Sequence, residues 1–173
     1  DHCTVYRWSE QHLRPQRHAY PVHRLDRAAT GLILLAHNKK TATAFLQMFR
    51  QHAITKRYRV VVEGGFSRTT LPLVIDQPLD RKPAETIVLE AKLNPNENTT
   101  GLLVEIKTGR KHQIRRHLSM QGHAVVGDRL YGASETAVNL QLRSVYIGFK
   151  CPSTRRQRSY SADDAPLPVR DHQ

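Results

Sequence analysis

Residues 86–107, TIVLEAKLNPNENTTGLLVEIK, carry the clearest architectural signal in the chain. Thr86 to Leu93 and Leu102 to Lys107 read as strands, and the polar stretch between them (NPNENTTG) is built of residue types that favour turns. The simplest arrangement is an antiparallel hairpin. Upstream, Arg57 to Glu63 (RYRVVVE) puts Tyr58, Val60 and Val62 on one side of an extended chain, with Arg57 and Arg59 on the other, and ends at Gly64-Gly65. Downstream, Leu142 to Phe149 reads as a further strand. Gly31 to Ala36 (GLILLA) is a short unbroken apolar run, expected to form a strand buried on both faces.

Two segments follow a helical period instead. From Lys39 to His52, the residues Ala42, Phe45, Leu46 and Phe49 recur at helical spacing behind Asn38, a suitable N-cap. Lys111 to Gln121 reads as a second helix, with Gly122 as its stop. Mixed strands and few helices imply an α+β domain: a mixed, largely antiparallel sheet with helices flanking it. Residues 1–22 are polar and rich in His and Arg, so they are expected to be an irregular lead-in to an ordered domain spanning 23–168, with 169–173 as a tail. No internal repeat or heptad pattern is visible.

A chain of 173 residues with 39% hydrophobic residues has enough for one core of ordinary size. Lys and Arg number 27 against 15 acids, a net charge of +12 that favours polyanionic partners: nucleic acid first, an anionic membrane surface second. No apolar stretch approaches the roughly 20 residues that cross a bilayer, and DHCTVYRWSE at the start lacks the apolar run of a secretory signal. The expectation is a soluble, cytoplasmic protein. Cys3 and Cys151 show no paired spacing, which suits a reducing compartment, and neither reads as catalytic.

Three features could carry chemistry. In the run His23-Arg24-Leu25-Asp26-Arg27, a carboxylate lies between two arginines, whose charge favours its ionised form. A surface salt-bridge cluster explains the same pattern equally well. The second feature is TGRKHQIRRHL, residues 108–118, a glycine turn and a dense basic run opening a helix. Between Gly109 and Gly132 five Lys or Arg face the single acid Asp128. Arg110, Lys111, His112 and Arg116 could hold an RNA backbone there, since basic side chains and helix N-terminal amides both attract phosphate. A solvated helix face with Ile114 and Leu118 on its buried side is the alternative. His112, Arg115 and Ser119 share one helical face, so Arg115 could reach a carboxylate in a cleft. His112, His117 and His123 lack metal-ligand spacing and stand among arginines, so no metal is expected. The third feature is Tyr58, an aromatic beside basic residues that could stack on a base, although a tyrosine among valines is more often core.

Taken in order, HRLDRAATG, KRYRVVVEG, TGRKHQIRRHL and GHAVVGDRLYG resemble the RluA family of pseudouridine synthases. The resemblance is clear from Tyr20 to Gly132 and weaker from Leu140 to Pro168, where a final strand and APLP match the family's usual ending. It implies a catalytic domain with a central cleft and an isomerase that breaks the ribose C1′ to N1 bond of a uridine in tRNA or rRNA, turns the uracil and joins C1′ to C5. No cofactor or metal is implied. By matching position, Asp26 would be the essential carboxylate, acting as nucleophile or as base. Arg115 would be its ion-pair partner, and Tyr58 the ring packed on the target base and a candidate proton acceptor. Arg24 would enter the RNA stack near the extruded nucleotide, with Arg27 beside it.

The chain also departs from the pattern. Nothing like the family's Asn-Lys-Pro-x-Gly motif stands before His23, whether by truncation or divergence, so an early part of the usual core is in question. Leu142-Arg143-Ser144 replaces Leu-His-Ala, and Cys151-Pro152 replaces His-Pro, changes expected to alter packing more than catalysis. Two other readings use the same charge: a noncatalytic RNA-binding module on the same scaffold, and a DNA-binding protein using the Lys111 to Gln121 helix. Oligomeric state is not legible, and a monomer is the default.

Overall fold

Alternation along β4 sets the frame of the domain. In the computed structural model, which describes residues 5–12, 14–66, 70–132 and 138–162, the elements in chain order are α1 (Val5–His12), β1 (Tyr20–Pro21), β2 (Thr30–Gly31), β3 (Leu35–Ala36), α2 (Lys39–Arg50), β4 (Ile54–Glu63), β5 (Leu73–Ile75), β6 (Thr86–Asn94), β7 (Thr99–Ile106), α3 (Gln113–Met120), β8 (Leu142–Lys150) and β9 (Gln157–Ser161). Even-numbered residues of β4, from Ile54 to Val62, are buried, and odd-numbered ones are half-buried or exposed. That is the mark of a sheet with one face on a core.

The seven-stranded sheet runs β2-β8-β4-β7-β6-β5, with β9 also paired to β8. All its pairings are antiparallel except β2 with β8, so the mixed, mostly antiparallel α+β architecture is the observed one. The hairpin expected over residues 86–107 forms as β6 and β7, closing at Asn94↔Thr99. β1 and β3 make a separate two-stranded ribbon.

Two cores lie against the buried face of β4. One gathers Tyr58, Val60 and Val62 with Val88, Leu102, Val104 and the α3 residues Ile114 and Leu118. The other gathers Ile54, Ile147 and Phe149 with the α2 residues Ala42 and Phe45. α2 begins as expected, the Asn38 side chain accepting the Thr41 N–H at 2.8 Å.

Three expectations change. GLILLA is not one strand: Gly31 belongs to β2, Leu35 and Ala36 to β3, and Leu32 to Leu34 connect two different sheets. An apolar run reports burial, not which sheet each residue joins. The opening segment is not wholly irregular, since α1 forms with Trp8 stacked on His12 at 4.3 Å, one turn apart. α3 starts at Gln113 rather than Lys111, because His112 takes a left-handed φ of 51°. The APLP match, Cys3 and the 169–173 tail lie outside the described residues.

Candidate active site

The HRLDR run crosses the seam between the two cores. Val22 is buried in the α2 core, and Leu25 packs against the core that contains Tyr58, so residues 23–26 are pinned at both ends. Arg24 and Arg27 consequently point outward and are exposed, while Asp26 keeps 23% of its side-chain surface. His23 is held too: its Nε2 accepts the Leu34 N–H at 2.8 Å and its ring lies 4.9 Å from Phe49 of α2. A turn follows, closed by Ala29 N–H to Asp26 C=O at 2.9 Å, and β2 then docks on β8. Gly31 permits that docking. Its φ is +101°, and a Cβ there would sit 2.1 Å from the Ser144 carbonyl oxygen.

Asp26 and Arg115 come together across 89 residues of sequence, with Nη1 3.4 Å from Oδ2. The stronger partner of Arg115 is Asp128. Nε and Nη2 donate to its two carboxylate oxygens at 2.7 and 2.6 Å, a bidentate pair whose carboxylate is fully buried. One Asp128 oxygen also accepts the N–H groups of Leu130 and Tyr131. Burial pushes the Asp128 carboxyl up, but Arg115 and the two amides outweigh it and hold it below the usual carboxylate range. The Arg115 guanidinium lies over the Tyr131 ring at 5.1 Å. His112 Nδ1 is 2.9 Å from the Tyr131 hydroxyl, and Ser119 donates to the Tyr131 carbonyl. The shared face of His112, Arg115 and Ser119 therefore wraps Tyr131.

Tyr58 is 8% exposed, belongs to the core against which Leu25 packs, and lies close enough to Asp26 to feel its charge. A register shift in the β4–β8 ladder falls between Arg57 and Tyr58, where a bulge turns the strand locally. Burial, reinforced by the Asp26 charge, pushes the Tyr58 hydroxyl up to about 12. It keeps its proton at neutral pH.

The basic run is only partly available for RNA. Arg116 forms a two-bond pair with Asp80 at 2.9 and 3.0 Å, and Arg110 donates to the Pro83 carbonyl at 2.8 Å. His112 is committed to Tyr131, whereas Lys111 is exposed. The three histidines considered for metal binding diverge: His117 bonds Thr86 and the Gln77 carbonyl, and the His123 ring lies tilted against Phe66. Asp128 and Tyr131 are the residues that sequence reasoning passed over. The available signal was that Asp128 is the lone acid of its segment.

A helix-borne arginine shared between a buried and an accessible carboxylate, next to a buried tyrosine, is the geometry that comparison with known proteins has to explain. The fold is that of human RNA pseudouridylate synthase domain containing 1, with a TM-score of 0.70 at 24% identity over 84% of this chain and 69% of that one. The chain is 33% identical over 161 residues to the dual-specificity RNA pseudouridine synthase RluA of Pasteurella multocida, covering 84% of this chain and 73% of the relative. It is 28% identical over 166 residues to ribosomal large subunit pseudouridine synthase D of Zymomonas mobilis, covering 82% of this chain and 51% of that protein, so it spans about half the length of that relative. Residues 2–120 match the RNA pseudouridylate synthase family model, and the chain belongs to that family.

Proposed function

We propose that this chain isomerises a uridine to pseudouridine within structured tRNA or rRNA, with Asp26 as the reacting carboxylate. The observation that carries the reading is the division of labour around Arg115: Asp128 fixes the guanidinium, and Asp26, 3.4 Å away and partly exposed, remains open to a nucleotide. A carboxylate beside a fixed positive charge is suited to bond breaking at an anomeric carbon, as in glycosidases. Either route open to Asp26, attack on C1′ or proton abstraction from the ribose, needs its anionic form. The reaction balances without a redox partner: C1′ to N1 breaks, C1′ to C5 forms, and the C5 proton is lost while N1 gains one.

Tyr58 offers its ring to the uracil, and the exposed Arg24 fills the space left in the RNA stack when the nucleotide turns out. Arg27 and Lys111 reach phosphates nearby, with Arg110, His112 and Arg116 set behind them. The reading places the protein in the cytoplasm with its RNA, acting without cofactor or metal. Incubation with tRNA and rRNA transcripts tritiated at uridine C5 should release tritium, and Asp26→Asn should stop it. Undiminished release from that variant refutes the role of Asp26; binding without release from the parent protein favours the noncatalytic RNA-binding module.

A further inference from the structure

The charge of this chain is unevenly placed. Residues 27–62 and 136–162 contain twelve of its 27 Lys and Arg and none of its 15 Asp and Glu. The remainder holds fifteen of each, so the entire surplus of +12 comes from these two stretches. The fold packs them together. β4 pairs with β8 from Ile54↔Phe149 to Val60↔Leu142, Phe45 meets Phe149 edge to face at 5.0 Å, and Thr41 Oγ1 of α2 lies 3.5 Å from Ser153 Oγ in the turn between β8 and β9.

Where they meet, six cations are exposed: Lys39 and Lys40 in the first turn of α2, and Lys150, Arg155, Arg156 and Arg158 on the β8–β9 hairpin. Several cations elsewhere on the surface are paired with acids, as in Arg116 with Asp80, Arg57 with Glu105 and Arg7 with Glu10. Among the described residues these six have no such partner. Like charges gathered with no described acid between them repel each other.

The hairpin is a defined platform. Cys151 N–H donates to the Arg156 carbonyl and Arg155 N–H to the Cys151 carbonyl, both at 2.8 Å, and the ladder continues to Tyr146↔Ser161. On β9, Arg158 and Tyr160 fall on the same side of the strand, and Tyr160 is 52% exposed beside Phe149. Cations with an accessible aromatic suit single-stranded nucleic acid, whose phosphates and base faces are both met. The platform connects to the candidate active site through α2, whose Phe49 packs on His23. Ile54, paired with Phe149 at the platform, stands four residues from Tyr58, about 13 Å along a strand.

We propose that the β8–β9 hairpin and the start of α2 form a second RNA-binding surface, which grips the backbone of the same RNA a few nucleotides from the one presented to Asp26. The proposal deepens the reading above and rests on it for the identity of the RNA. The test is binding of an unmodified tRNA transcript, followed by fluorescence anisotropy across a salt series, to the full chain and to Arg155→Ala/Arg156→Ala/Arg158→Ala. These side chains are exposed, so the variant should fold, which circular dichroism checks. Because each phosphate contact contributes about 0.7 to 0.9 to the slope of log affinity against log salt, the triple variant should lose roughly two units of slope. A control removing the scattered cations Arg7, Lys82 and Lys92 should lose less than one. An unchanged slope in the hairpin variant overturns the proposal even if the parent protein forms pseudouridine. Equal losses in the two variants overturn it as well, since they would reflect net charge alone. Loss of slope confined to the hairpin variant supports the surface, even if the parent releases no tritium and the enzymatic reading fails.

Discussion

Arg115 is bound to Asp128 by hydrogen bonds of 2.7 and 2.6 Å, whereas Asp26 lies 3.4 Å from the same guanidinium. The two carboxylates therefore have unlike roles. Removing charge from Asp128 leaves a buried arginine without its main partner, and breaking such a pair costs about 3 to 5 kcal/mol. Asp128→Asn should lower the urea midpoint clearly and reduce tritium release by displacing Arg115. Asp26 is partly exposed and only loosely paired, so Asp26→Asn should keep stability within about 1 kcal/mol of the parent while abolishing release. Equal destabilisation by the two substitutions would show that this division of roles is wrong.

Gly31 fixes the far end of the loop that carries Asp26. Gly31→Ala must place a methyl 2.1 Å from the Ser144 carbonyl oxygen at a φ of +101°. The left-handed backbone alone costs an L-residue roughly 1 to 2 kcal/mol, and the collision with β8 backbone adds to that. We expect a loss exceeding about 2 kcal/mol in urea unfolding, with activity falling further than stability as Asp26 shifts. A variant of parental stability and activity would mean that the loop is not held from this end.

Local signals were legible wherever they determined the structure. Alternation in residues 57–63, the Asn38 cap of α2 and the turn chemistry of residues 94–99 each describe neighbours in sequence, and all three stand in the fold. What depended on distant partners was not legible. GLILLA divides between two sheets because β8 captures Gly31 and β1 captures Leu35 and Ala36. Arg116 and Arg110 looked free for RNA, yet Asp80 and the Pro83 carbonyl, from another loop, bind them. The approach of Asp26 to Arg115 was accessible only through the family resemblance, and the dominant hold of Asp128 on Arg115 needed the geometry.

His23 has a testable pH signature. Burial first, then the charge of Lys56, lowers its imidazole from 6.5 to about 4, against a raising influence from the Arg24 backbone. The unfolded chain binds this proton near pH 6.5 and the folded protein does not, so stability is full above that value and is lost as pH falls toward 4. Between pH 7 and pH 5 the loss attributable to His23 is about 2 kcal/mol. His23→Gln keeps an acceptor for the Leu34 amide without the titration. Its urea unfolding should show that much less dependence on pH across the interval, and identical pH dependence in both proteins would contradict the assignment.

Lys56 stands on the buried face of β4 between Ile54 and Tyr58, 7% exposed, with Nζ 5.8 Å from the centre of the Phe49 ring. Burial lowers its ammonium from 10.5 to about 8. At neutral pH the folded protein still carries the charge, and the depressed pKa means that holding it there costs about 3 kcal/mol relative to water. The cost fades as pH rises from 8 toward 10.5, where the folded state has released the proton that the unfolded chain keeps, so stability should increase over that window. Lys56→Met, similar in length and apolar, removes the penalty. It should raise the melting temperature at pH 7 by several degrees, at a few degrees per kcal/mol for a domain of this size, and flatten the rise above pH 8. A lower melting temperature would mean that the amine is compensated where it lies. Raised stability with impaired tritium release would show that the lysine is kept for its charge beside His23 and Tyr58, not for the fold.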